Sequence, residues 1–429
     1  MKTKIFAQLG PALVTQTLTS LFLAALVISL SLRIWLKLRH IRHIAAHRGA
    51  VPVEFAQQIS LEAHQKAADY TVDRSKSAIF ALLIECGLLL ALTLGGGLSA
   101  LHAYWSAQLD GLFYGLALIF SVMLISALID LPLSLYQQFV IEARHGFNRM
   151  SLGLFFSDLL KQSLLGAAIG APVILAVLWL MAAMGERWWL YVWLFWSGFN
   201  LLIMFVYPTW IAPLFNKFSP LAEGKMKTRI EALLARCGFR SSGLFVMDGS
   251  KRSSHGNAYF IGFGNNKRIV FFDTLLNRLE PPEVEAVLAH ELGHFRKKHV
   301  LKRLAMMFAG SLGFLWLLGQ LIDAPWFYAG LGVSAENTAL GLILFFLVIP
   351  IFTFPLTPLL SFLSRRDEFE ADAYAAEHAT ANDLIHALVK LYRDNAATLT
   401  PDPLHSLFYD SHPPAAQRIA HLQLQENSA

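Results

Sequence analysis

The sequence predicts a mainly α, polytopic membrane protein carrying a water-facing α+β domain on one side, and three observations support this. Of 429 residues, 55% are hydrophobic and only 15% charged, with a mean hydropathy of +0.49, which is too apolar for an ordinary soluble chain. Seven stretches, 12–36, 77–101, 111–136, 161–184, 188–212, 303–322 and 337–363, are long and apolar enough to cross a bilayer, a crossing that takes about 20 residues. The polar remainder gathers in two places, 214–302 and 364–429.

The formal charge of +5 follows a membrane pattern and predicts a lipid bilayer as partner, with no nucleic acid. Lys37, Arg39, Arg42, Arg48, Lys66, Arg74 and Lys76 fill the loop after the first span, and Arg144 and Arg149 lie in the third loop. The loops 102–110 and 323–336 hold no Lys or Arg, and the fourth loop holds only Arg187. The positive-inside rule therefore expects 214–302 and the C-terminal segment in the cytoplasm and the N-terminus outside, with Lys2 and Lys4 discordant. The run after "MKTK" has no small-residue cleavage site and reads as an uncleaved span. Cys86 and Cys237 suggest no disulfide framework.

Within 214–302, residues 223–239 carry Met226, Ile230, Leu233, Leu234 and Cys237 at helical spacing, closed by Gly238. Three β-type runs follow, "GLFVM", "NAYFI" and "KRIVFF", the last two joined at a Gly-Asn-Asn turn. They predict a small antiparallel sheet. Next, "PPEVEAVLAHELGHFRKKHVLKRLAMMF" opens with two prolines and acidic residues, a helix N-terminus, and is expected to run as one helix towards the sixth span.

"HELGH" lies on that helix. His290 and His294, four apart, share a face that Glu291 borders. Two imidazoles at this spacing beside a carboxylate suit a metal with one open coordination position, the HExxH arrangement of zinc peptidases. His299, nine residues after His290, is expected off that face. A third ligand is required, and "SRRDEFEADAYAAEHA" offers Asp367, Glu368, Glu370 and Asp372. Spacing does not choose among them, although Glu368 and Asp372 share one face.

"HELGH", two spans, "EFEAD" and "SHPPAAQR" together resemble the type I CAAX prenyl endopeptidases, integral-membrane zinc gluzincins. The stretches 142–158, 206–221 and 248–276 are similar to that family's segments as well, so the resemblance spans nearly the whole chain. Shorter heat-shock membrane proteases share the metal motifs but fit less well. The resemblance implies one catalytic zinc held by His290, His294 and Glu368, with Glu291 as the base and Asp372 supporting the ligands. It further implies His412 and Arg418 near the zinc, for oxyanion stabilisation and site support, and a substrate-binding edge at Asn257, Ala258, Tyr259 and Phe260. Glu370 departs from the family's uncharged residue at that position. A ring of helices around a water-filled intramembrane chamber is implied too, and Glu85 and Asp130, inside the second and third spans, are expected to face wet space or a partner.

The expected organisation is therefore 1–213 for spans one to five with their loops, 214–302 for the first part of a metalloprotease domain, 303–363 for spans six and seven, and 364–429 for the rest of that domain. The expected reaction is endopeptidase cleavage of a peptide or protein substrate, CAAX-type and prenylated or otherwise membrane-associated, with membrane-protein quality control as the alternative. An intramembrane site-2-type protease is disfavoured because "FRKKH" puts the motif at the membrane surface, and a zinc-stabilised scaffold because Glu291 is present. The chain closes on "LQENSA" without a KDEL-type signal, and a bacterial inner membrane is the expected location, or the endoplasmic reticulum membrane if the source is eukaryotic.

Overall fold

Seven helices are long and apolar enough to cross a membrane, and each overlaps one of the seven apolar stretches; the second stretch, 77–101, overruns its helix, which ends at Leu92. The computed structural model describes residues 10–261 and 268–426. The first spans are α1 (Pro11–His47) and α2 (Leu61–Leu92), followed by a short α3 (Gly97–Ser106). Next comes α4 (Gly111–Tyr136), running through π-helical Gln137–Ile141 into α5 (Glu142–Arg144), and then α6 (Leu152–Ala183) and α7 (Trp188–Val206). The 37 residues of α1 extend about 55 Å at 1.5 Å each, against a hydrocarbon core of about 30 Å. Its far end therefore stands outside the bilayer, where Arg39 clasps the buried Asp402 at 2.9 and 3.0 Å.

Large side chains such as Phe113, Leu164 and Leu194 lie exposed on these helices. Lipid can cover that surface, since a bilayer removes the cost of exposing it to water. Inside, Arg33, Glu85 and Asp130 line a cavity of about 390 Å³ together with Ser29 and Ser126. These polar groups share the cavity with apolar side chains such as Leu26, Leu30 and Leu89.

The water-facing part begins with β1 (Phe218–Pro220), α8 (Lys225–Arg236) and β2 (Gly243–Met247). β3 (Ala258–Ile261), β4 (Arg268–Phe272), the single turn α9 (Asp273–Leu276) and α10 (Pro281–Arg296) follow. The sheet order is β1-β2-β4-β3. It is mixed rather than purely antiparallel: β2 runs parallel to β4, while β3 and β1 are antiparallel to their neighbours. The reason is the segment 248–257, which carries the chain past β4 to the far edge, so that β4 returns between β3 and β2. The Gly-Asn-Asn turn, 264–266, lies outside the described residues.

The expected single helix from Pro281 onwards is two helices. α10 stops at Arg296 because Lys298 adopts a left-handed conformation, φ 59°, and the sixth span, α11 (His299–Leu321), starts in a new direction. After α12 (Pro325–Gly330), α13 (Thr338–Thr353) buries Leu340 and Leu344 completely inside the bundle. A 3-10 turn at Phe354–Leu356 then leads into α14 (Thr357–His378), which carries "EFEAD" out of the membrane. α15 (Ala381–Asp394), α16 (Pro403–Tyr409) and α17 (Ala415–Glu426) complete the described chain.

One apolar core holds this part together. Ile230 and Leu233 of α8, Ile269 and Phe271 of β4, Ala289 and Leu292 of α10, Leu384 of α15 and Leu422 of α17 all belong to it. Phe55 and Ile59, from the loop between α1 and α2, are buried in the same core. The loop between the first two spans therefore helps to build this domain, which hydropathy alone did not suggest.

Candidate metal centre

The centre forms where α10 crosses α14. Glu283 takes the Glu280 N–H at 2.8 Å and also pairs with Lys390 of α15, while Glu285 pairs with Arg229 and Arg236 of α8, both at 2.6 Å. These ties fix the roll of α10 about its axis. Gly293 fixes the distance: a Cβ there would meet the Ala371 Cα at 2.9 Å and its carbonyl oxygen at 3.0 Å. Only a hydrogen at this position lets the two backbones come so close.

That approach brings together His290, His294 and Glu368. The His290 and His294 Nε2 atoms are 3.2 Å apart. Glu368 lies 3.5 Å from His290 Nε2 through Oε2 and 3.3 Å from His294 Nε2 through Oε1. Tetrahedral ligands at about 2.0–2.1 Å from a zinc ion stand roughly 3.3–3.4 Å from one another, so the three groups fit that ion. Glu368 Oε2 is also buried without a hydrogen-bond donor, the Arg418 guanidinium standing off at 3.7 Å, and a directly bound cation would satisfy it. Three protein groups leave one position open.

Behind His290, Asp372 accepts from Nδ1 at 2.8 Å. Arg418 holds Asp372 with two bonds, Nε to Oδ2 at 2.9 Å and Nη2 to Oδ1 at 2.5 Å. Asp372 is fully buried and Arg418 nearly so. Arg418 thus faces Asp372 and the back of His290, which is site support. Its Nη1 also lies 3.7 Å from Glu368 Oε2. His412 stands beside the ligands, its side chain 61% exposed and its Nε2 3.4 Å from Glu368 Oε1.

Glu291 is next to the ligands on α10. Burial raises its carboxyl pKa above the usual range, and the adjacent His290 and His294 pull it part of the way back. A carboxylate held this way binds a proton more readily than one in water, which suits a base.

His299 differs from expectation. The break at Lys298 turns it back, so that its Nδ1 lies 3.0 Å from His294 Nδ1 and its Nε2 3.2 Å from Glu370 Oε2. It stays outside the ligand triangle but touches one corner. A left-handed lysine between two helices leaves no signature in hydropathy.

The residues 257–260 lie on the outermost strand of the sheet among the described residues. The Asn257 carbonyl accepts from the Phe272 N–H at 2.9 Å, so by strand alternation Ala258 and Phe260 turn their N–H and C=O groups to the open edge. The Asn257 side chain already takes the Ala258 N–H at 2.8 Å. Phe260 packs against Phe239 of the core, and the Tyr259 hydroxyl meets the Met247 sulfur.

Membrane helices with this site at their end define an integral-membrane metallopeptidase, and the comparisons with known proteins bear this out. Residues 40–217 match the family model described as CAAX prenyl protease N-terminal, five membrane helices, and residues 220–426 match that of peptidase family M48. The chain is 36% identical over 398 residues to the CAAX prenyl protease 1 homolog of Oryza sativa subsp. japonica, covering 89% of this chain and 92% of that protein. To the Homo sapiens homolog it is 36% identical over 429 residues, 87% and 88% of the two chains. Among solved structures, that of S. mikatae Ste24p aligns with a TM-score of 0.89 at 30% identity, covering 94% of this chain and 99% of that one. The chain belongs to peptidase family M48, within the CAAX prenyl protease 1 group, and is a membrane-embedded peptide hydrolase.

Proposed function

We propose that this metallopeptidase uses one zinc ion, held by His290, His294 and Glu368, to cleave CAAX-type peptides such as those named for its relatives. The observation that carries the reading is the convergence of the three ligand groups: the two Nε2 atoms are 3.2 Å apart, and the Glu368 carboxylate lies 3.5 Å from one through Oε2 and 3.3 Å from the other through Oε1. When bound, the metal supplies Lewis-acid polarisation of a water and of the scissile carbonyl. Glu291 takes the proton from the attacking water and returns it to the leaving amine. His412, exposed beside Glu368, donates towards the carbonyl oxygen as charge develops there. Asp372 holds the His290 Nδ1 proton and so keeps Nε2 free for the metal.

The substrate is added in extended form along β3, pairing with the outward groups of Ala258 and Phe260, and displaces the Asn257 side chain from the first donor. The catalytic domain is assembled from 214–302 and 364–429, with 303–363 threading the membrane between them. It sits on the cytoplasmic face, as the Lys and Arg of the odd loops indicate.

The test is mass spectrometry of two CAAX peptides, one prenylated and one not, incubated with purified zinc-loaded protein. Release of the C-terminal tripeptide, abolished in a zinc-retaining Glu291→Gln variant, is the expected result. Failure of zinc-loaded wild type to cut either peptide overturns the reading.

A further inference from the structure

His299, Asp367 and Glu370 gather into a second His-carboxylate cluster whose ligand-type atoms lie within 4.8 Å of one another. Taken alone it resembles another metal site. Its contact with His294 argues for a different role.

A neutral imidazole carries one N–H, and the nitrogen that binds a metal must be the bare one. If His294 ligates through Nε2, the atom facing Glu368 and His290, its proton sits on Nδ1. That proton has one partner at 3.0 Å, the Nδ1 of His299, which must then accept. The His299 proton is thereby placed on Nε2, which points at Glu370 Oε2 at 3.2 Å and Asp367 Oδ1 at 3.5 Å. Each proton has an acceptor and each acceptor is used once. Both carboxylates have cationic neighbours: Arg366 and Lys302 beside Glu370, at 3.3 and 3.7 Å, and Arg303 beside Asp367, at 3.5 Å. His299 itself is 1% exposed, so water does not substitute for either bond.

We propose that His299 is a positioning residue for the zinc ligand His294, the middle of a relay from zinc through His294 and His299 to Asp367 and Glu370. The relay is the counterpart of the direct His290–Asp372 bond, and the proposal rests on the ligand assignment given above. It also excludes a second ion while the first is bound. A metal on His299 Nε2 moves that ring's proton to Nδ1, forces His294 to accept there, and puts the His294 proton on the nitrogen that should hold zinc. The two clusters compete for one proton arrangement.

The measurement is zinc affinity by competition with a chromophoric chelator, on full-length protein in detergent, with the thermal stability of the metal-free forms as a folding control. Asparagine places an oxygen close to where His299 Nδ1 stands, and leucine removes the acceptor at similar bulk. His299→Leu is expected to weaken zinc by about 10–100-fold, the usual effect of removing an outer partner of a metal-bound histidine. His299→Asn should restore most of the affinity, and wild type should hold one tight zinc per chain in excess metal. Wild-type affinity in His299→Leu, equal losses in the two variants, or two tight ions in an active protein each overturn the relay. Glu368→Ala serves as the reference: if it too keeps zinc, the ligand assignment has failed, whereas loss there with no effect of His299→Leu condemns the relay alone.

Discussion

Gly293→Ala tests how tightly the metal centre depends on the crossing of two helices. The new methyl would meet the Ala371 Cα at 2.9 Å, while carbon atoms rest at about 3.5–4.0 Å. Both nearest obstacles are backbone atoms, so no rotamer change relieves the contact, and α10 and α14 must part by about 0.6 Å or more. Glu368 lies one turn before Ala371 on α14, opposite His290 and His294 on α10, so the parting opens the ligand triangle directly. Metal–ligand distances tolerate only about ±0.2 Å. Stability moves less, because alanine gains about 1 kcal/mol of helix propensity over glycine against about 1–3 kcal/mol for overpacking. The expected outcome is a metal-free protein that melts within a few degrees of wild type yet binds zinc at least about tenfold more weakly, comparable to losing an outer ligand partner. Chelator competition and a melt of the metal-free form give both values. Unchanged zinc affinity together with a raised Tm would refute the claim that this glycine sets the ligand geometry.

Other outcomes follow from the same site. Glu291→Gln should retain zinc and lose peptide hydrolysis by about 10²-fold or more, the scale of general base catalysis; near-normal turnover of the zinc-loaded variant contradicts the base assignment. Glu368→Ala should lose the metal at neutral pH, whereas Glu370→Ala should keep it with a modest change in activity, since Asp367 remains as an acceptor for His299; elemental analysis of the two proteins separates them. Asp372→Ala should destabilise the protein by about 3 kcal/mol, because it removes the two-bond partner of the buried Arg418 and leaves it only the longer contact to Glu368 at 3.7 Å; a melt close to wild type would show the pair to be dispensable. For topology, a membrane-impermeant thiol reagent applied to the outer face should label a cysteine placed at Ser334 and spare one placed at Ser250, and the reverse pattern would invert the orientation.

The seven membrane-capable helices and the helix bearing HELGH were legible in the sequence, because hydropathy and the i,i+4 spacing are local properties that survive without a partner. Family resemblance chose Glu368 from four nearby carboxylates, a choice that helical spacing left open. Other features required the tertiary structure. The sheet is mixed because 248–257 crosses to a distant edge, and strand order is not encoded in the alternation of any single strand. Phe55 and Ile59 join the catalytic core from a loop more than 150 residues away in the chain, and their hydrophobicity does not say which core they enter. His299, nine residues past His290, belongs on the opposite face of an unbroken helix, and it reaches His294 only because Lys298 takes a left-handed turn. Arg418, which the resemblance put near the zinc, reaches the buried Asp372 behind His290 because α17 brings it against α14. In each case the deciding quantity is a distance between segments far apart in sequence, set by how closely their backbones pack.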